Sequence, residues 1–171
     1  IKPAESIEAL AAFQGVRRRL EVRGTVGGVT VIDDFAHHPT AIATTIAGLR
    51  ARMQAGNHPG GRLLAVLEPR SNTMRTGTLA QLPASLKGAD LVLCYAGGID
   101  WDVQAALAPL GERVAVFRDM LALEAAILAA TRPGDQVLVM SNGGFGGIHG
   151  RLLAGLAARE AGTAQHEGNG K

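Results

Sequence analysis

Two carboxylates, two imidazoles and a proline fall within Asp33-Asp34-Phe35-Ala36-His37-His38-Pro39. Carboxylates of this kind can receive sugar hydroxyls or orient a metal-bound phosphate, and an imidazole changes charge near neutral pH, which suits it to face a charged substrate. Competing roles exist for the same residues: one Asp can cap the turn or the following helix, and one His can brace a loop. A second polar cluster runs Glu68-Pro69-Arg70-Ser71-Asn72-Thr73-Met74-Arg75, and a third is the glycine-rich stretch Ser141-Asn142-Gly143-Gly144-Phe145-Gly146-Gly147-Ile148-His149. Glycines before a helix let backbone amides approach an anion, although close packing of helix on sheet asks for them equally. The third stretch lacks G-x-x-x-x-G-K-[ST] and falls on the last strand-helix unit, so it is no dinucleotide fingerprint. A zinc site would need three or four ligands at suitable spacing, and no such Cys/His cluster accompanies the histidines. Ser71 and Ser141 lack a G-x-S-x-G turn, so no nucleophile stands out.

Each cluster follows an apolar run. Val29 to Asp33, Leu63 to Leu67 and Gln136 to Met140 read as buried strands that empty into polar turns, and ligands of open α/β sheets gather outside such carboxyl ends. Further strands are expected at Asp90–Tyr95 and Val114–Phe117. Between them lie helical patterns: Ile42, Ile46, Leu49 and Met53 after Pro39, Thr78 to Leu86 blemished by Pro83, a short helix at Val103–Leu107, Leu121 to Ala130, and a final amphipathic helix to about Arg159. Arg17 to Gly24 and the Val29 strand, joined across Gly27-Gly28, read as a β-hairpin whose basic first arm could also discourage edge pairing. The expected fold is therefore α/β, a Rossmann-like, mostly parallel sheet of about six strands with helices on both faces and an antiparallel N-terminal hairpin edge. Residues 1–12 read as a linker or short helix, 13–160 as the domain, and 161–171 as a disordered tail.

The 171 residues carry 17 Lys and Arg against 15 Asp and Glu, too even a balance to imply nucleic-acid binding. No apolar run approaches the ~18 residues of a bilayer span. A single cysteine, Cys94, lies in the apolar run Leu91–Tyr95, which excludes an intrachain disulfide and fits a core position in a reduced, cytoplasmic setting. Trp101 falls in a loop, where packing or covering a ligand are the alternatives. The chain opens without an initiator Met and reads as part of something longer.

Phe13-x-Gly15, then Arg18-Arg19-Leu20-Glu21, then Asp33-Asp34-Phe35-Ala36-His37-His38-Pro39-Thr40 resemble the C-terminal domain of the Mur ligase family, the ATP-dependent enzymes that assemble peptidoglycan precursors. Glu68 to Met74 and Ser141 to His149 are similar to the members that join UDP-N-acetylmuramate to a recycled L-alanyl-γ-D-glutamyl-meso-diaminopimelate tripeptide. The L-alanine-adding members share the Asp-Asp-aromatic-x-His-His-Pro element but carry a more basic and aromatic cluster where this chain has Glu68 to Arg75.

The resemblance implies the third domain of a three-domain ligase. ATP would lie between it and a central domain that holds most of the phosphate contacts and Mg2+. Arg19 would reach ATP phosphate or ribose, Asp34 would accept ribose hydroxyls, and Phe35 would keep an aromatic wall where relatives often have Tyr. Arg70, Asn72 and Arg75 would meet a tripeptide carboxylate with His37 or His38 nearby, a pairing that suits the guanidinium fork. The reaction implied runs through an acyl phosphate. Because the phosphate-binding loop and the family's carbamylated lysine are absent, the chain alone is expected to have no turnover. A C-terminal domain of the L-alanine ligase and a stand-alone nucleotide- or peptide-binding module are the alternatives.

Overall fold

A strand that is apolar at successive positions has to be covered on both faces. The computed structural model describes residues 18–56, 60–70 and 78–168 and covers them in that way. Its strands are β1 (Glu21–Val26), β2 (Val29–Asp34), β3 (Leu63–Leu67), β4 (Leu91–Tyr95), β5 (Val114–Phe117) and β6 (Gln136–Met140). They form one sheet in the order β1-β2-β6-β3-β4-β5, antiparallel between β1 and β2 and parallel elsewhere. The helices are α1 (Pro39–Ala55), α2 (Leu82–Ser85), α3 (Val103–Leu107), α4 (Met120–Ala130) and α5 (Ile148–Gly168).

Side chains that alternate along a strand divide the core in two. Ile32, Leu63, Ala65, Leu67, Leu138 and Met140 pack on one face with Ile42, Ile46, Leu49 and Met53 of α1. Val29, Val31, Leu64, Val66, Val137 and Val139 pack on the other with Leu123 and Ile127 of α4 and Ile148, Leu152 and Leu156 of α5. Cys94 is in the first core and Trp101 packs against it, so both serve packing. The hairpin turn places Gly27 at φ 56 and Gly28 at φ 74, the doubly left-handed geometry that a two-residue connection between twisted strands requires. α1 starts as its sequence dictates: His38 is the extended N-cap and Pro39 fills the first turn, where a missing N–H costs nothing.

Two expectations change. The helix expected over Thr78–Leu86 splits into a 3-10 turn, Leu79–Gln81, and α2, because Pro83 cannot donate within a helix and sits instead in the first turn of a new one. The tail expected to be disordered over 161–171 begins as helix, since α5 runs to Gly168. Ala157, Ala158, Arg159, Glu160 and Ala161 are strong helix formers that carry the last amphipathic turn onward. The linker assigned to residues 1–12, with Phe13 and Gly15, lies outside the described residues.

At the amino ends of the strands, Arg62 and Asp135 close the sheet. Arg62 Nη2 and Nε donate to the two Asp135 oxygens at 2.6 and 3.2 Å, and the Arg132 N–H adds a bond of 2.8 Å.

Candidate functional site at the carboxyl edge of the sheet

Strand order brings the three sequence clusters together. β6 lies between β2 and β3, and Met140 is in register with Asp34 on one side and Leu67 on the other. The residues that follow these strands therefore emerge side by side. Because β1 is antiparallel, its first residues lie at this same edge.

Ser141 links the three ends. Its N–H donates to the Asp34 carbonyl at 3.3 Å, and its carbonyl accepts from Arg18 Nη2 at 2.7 Å. Its hydroxyl donates to Glu68 Oε2 at 2.7 Å and accepts from the Gly143 N–H at 2.9 Å. Arg70 completes the chain: its guanidinium lies 3.7 Å from Glu68 Oε1 and its side chain is 57% exposed. A Cβ at position 143 would stand 3.2 Å from Arg70 Nη1, so glycine there leaves room for the guanidinium over the β6 loop.

The two neighbouring aspartates have separate partners. Asp33 accepts from Arg18 Nε at 3.1 Å, and Arg18 also lies over the Phe35 ring, 5.2 Å from its centroid. His149, in the first turn of α5, brings its buried Nε2 to 3.2 Å from Asp33 Oδ1. Burial is the main reason the His149 imidazole titrates below its ordinary 6.5, with Asp33 pulling the other way. Asp34 is 1% exposed. Its carboxylate accepts from the Leu20 and Ala36 N–H groups, each at 2.8 Å, and from the Thr45 hydroxyl at 3.3 Å. The ribose role expected for Asp34 thus meets a carboxylate already occupied by three protein donors, and its visible work is to hold the loop.

Phe35 remains 36% exposed, with His37 edge-on to it at 5.0 Å and 78°. His37 Nδ1 is 2.8 Å from the Phe35 carbonyl, and His38 is partly exposed at the start of α1. Arg19 is exposed and bound by no carboxylate among the described residues. Arg19, Asp34, Phe35, His37, His38 and Arg70 consequently share one edge, while Asn72 and Arg75 lie outside the described residues. The sequence reading placed Glu68, Ser141 and His149 in its polar clusters and Arg18 in the family motif but gave none of them a role; the position of Ser141 directly after a buried strand was the available signal. Among the described residues no three His, Cys, Asp or Glu side chains group to hold a metal ion.

Two cations and an exposed ring face outward, whereas Ser141 is 1% exposed and its hydroxyl is enclosed between Glu68 and the Gly143 N–H. The topology and this edge define an α/β domain with a cationic carboxyl edge.

Comparison with known proteins narrows the class. The model of the family described as "Mur ligase, glutamate ligase domain" matches residues 18–143. The chain belongs to the Mur ligase family and corresponds to its C-terminal domain. It is 47% identical over 163 residues to the UDP-N-acetylmuramate–L-alanyl-gamma-D-glutamyl-meso-2,6-diaminoheptandioate ligase of Escherichia coli, covering 93% of this chain and 34% of that protein. The murein peptide ligase of Psychrobacter arcticus superposes with a TM-score of 0.76 at 38% identity, over 88% of this chain and 32% of its own. A domain of a UDP-N-acetylmuramate:tripeptide ligase from Haemophilus ducreyi superposes at 0.68 with 45% identity, over 81% of this chain and 100% of its own. The chain spans about a third of the length of the curated relatives it matches. Among the described residues no helix is long and apolar enough to cross a membrane.

Proposed function

We propose that this chain is the nucleotide- and peptide-facing domain of an ATP-dependent ligase that joins UDP-N-acetylmuramate to L-alanyl-γ-D-glutamyl-meso-diaminopimelate in peptidoglycan recycling, in the cytoplasm. The observation that supports this reading is the polar chain from Asp33 through Arg18, Ser141 and Glu68 to Arg70, which ties the carboxyl ends of β2, β6 and β3 together on one edge. Arg19 and the open face of Phe35 take the nucleotide, with Asp34 holding the loop between them. Arg70, with Asn72, Arg75 and a neighbouring imidazole of His37 or His38, takes a tripeptide carboxylate through paired hydrogen bonds.

In the reaction, the muramate carboxylate attacks the γ-phosphorus of ATP, ADP leaves, and the tripeptide amine then displaces phosphate from the acyl phosphate. Mg2+ offsets the charge of the two anions that must meet. Its ligands are assigned to the central domain, as the family resemblance implies. The cationic edge residues keep the nucleotide and peptide aligned, which is where much of such a barrier can be removed.

A chimera tests the proposal: the matching C-terminal third of the Escherichia coli ligase is replaced by this chain. Phosphate release should require the tripeptide and should not occur with free L-alanine. Release with L-alanine alone, or no release when the parent ligase is active, contradicts it. The isolated chain should release no phosphate from ATP under any of these conditions.

A further inference from the structure

The two edges of the sheet are guarded unequally. Edge strands are kept from pairing with other chains by charged side chains and by bulges. β1 has both, since its register shifts between Val22 and Gly24 and Glu21 and Arg23 lie along it. β5 is last in the strand order on the other side, with no described strand beyond it. It reads Val114-Ala115-Val116-Phe117, without a charge, a proline or a break in its register with β4, and all four residues are partly exposed. The Phe117 carbonyl accepts the Ala96 N–H at 2.7 Å and so faces β4. Peptide groups alternate along a strand, which turns the N–H and C=O of Val116 outward.

The helix beside this edge is unguarded too. α4 lies over β4 and β5. An outer helix face is ordinarily polar, yet the exposed residues of α4 are Leu121, Ala122, Ala125 and Ala129. Its one charge, Glu124, is taken by Arg151 of α5 at 2.6 Å, and Leu128 fills the space that a Cβ would take at Gly155 of α5. The opposite flank, Ala122, Ala126 and Ala129, therefore faces the β5 edge.

Charges bracket the strand in mirrored order. Glu112 and Arg113 precede β5 and Arg118 and Asp119 follow it, negative then positive and positive then negative. An antiparallel copy of the same strand needs that order, because the start of one strand meets the end of the other. Arg113 is held by the Lys87 and Ala89 carbonyls, and Asp119 caps α4 at the Ala122 N–H. Glu112 and Arg118 are exposed and have no hydrogen bond or ion pair among the described residues.

We infer that β5 receives a second copy of this chain. The two β5 strands pair antiparallel about a two-fold axis, Val116 gives its outward backbone groups to the partner strand, and Glu112 of one protomer stands beside Arg118 of its partner. Strands lie about 4.8 Å apart, so a helix seated over the β4–β5 gap comes within about 10 Å of its two-fold mate, the distance at which helices pack. The alanine flank leaves no side chain in the way. Such a contact is isologous, so it joins two copies and stops.

Sedimentation equilibrium of this chain, followed from micromolar to millimolar concentration, should show an average mass rising toward twice that of one copy, with the Val116 amide exchanging more slowly as it does. Arg118→Glu and Glu112→Arg should each weaken the dimer about tenfold, because each reversal turns two equivalent attractions into repulsions, and both together should return it to within about threefold of the starting value. Ala129→Arg, at an exposed helix position, should abolish the dimer and leave the circular-dichroism spectrum unchanged. A chain that stays monomeric throughout, a dimer indifferent to both reversals, or a charge swap that fails to recover it overturns the inference. So does a dimer of this chain beside a monomeric chimera, which would give the β5 edge to another domain of the ligase.

Discussion

The two ends of the sheet use the same chemistry to opposite effect. At the amino end, Asp135 is 2% exposed and meets the Arg62 fork, the Arg132 N–H and the Arg62 N–H, and Arg62 Nη2 additionally donates to the Ala130 carbonyl at 2.7 Å. That pair is closed. At the carboxyl end, Asp33 is just as buried, but it meets Arg18 through Nε alone while Arg18 sends its Nη2 to Ser141, and His149 Nε2 stands 3.2 Å from Asp33 Oδ1. Beyond this pair stand Arg19, Phe35 and Arg70, all open to solvent. A buried Asp paired with Arg is therefore no mark of function by itself.

The comparison can be broken most forcefully at the closed end. Asp135→Ala should cost about 3 kcal/mol of stability, toward the low end for a lost buried partner because the partly exposed Arg62 can turn to water. Denaturant unfolding measures this loss, and the chimera's KM values should not move. At the open end Arg70→Ala should do the reverse, raising the KM for tripeptide about a hundredfold with a midpoint shift of less than about 1 kcal/mol. A large stability loss with unchanged KM would make Arg70 structural.

Acid separates the two ends more gently. Burial alone would push the Asp135 carboxyl up, but the Arg62 fork and the Arg132 and Arg62 N–H groups outweigh it and hold it below its ordinary 3.8. Its contribution is accordingly complete above that value and is lost as pH falls through the lower, folded one. His149 is held below 6.5, chiefly by burial, so the unfolded imidazole takes up a proton first and stability declines as pH drops from 6.5 toward the folded value. His149→Gln should flatten the stability curve just below 6.5 and leave the more acidic Asp135 window unchanged.

Much of this was legible in the sequence. Ile42, Ile46, Leu49 and Met53 are buried on α1 as their spacing demands, and the polar clusters after the apolar runs do share the carboxyl edge because parallel strands all end there. The insertion of β6 between β2 and β3 was not legible, since pairing between residues 106 and 73 positions apart leaves no local signal, and with it went the role of Ser141. Arg18 and Arg19 could not be told apart either. Their opposite fates follow from two left-handed residues stabilised by carboxylates fourteen and fifteen positions away, which no propensity encodes. The division between Asp33 and Asp34 has the same cause, as successive residues at a strand end face different neighbours.

The most direct test is amide hydrogen exchange of the chimera with and without ATP, Mg2+ and tripeptide. Protection should rise over residues 18–20, 34–38, 68–70 and 141–145, with no change over 60–62 and 132–136. Equal protection at both ends, or protection confined to the Arg62–Asp135 end, would contradict a ligand-facing carboxyl edge.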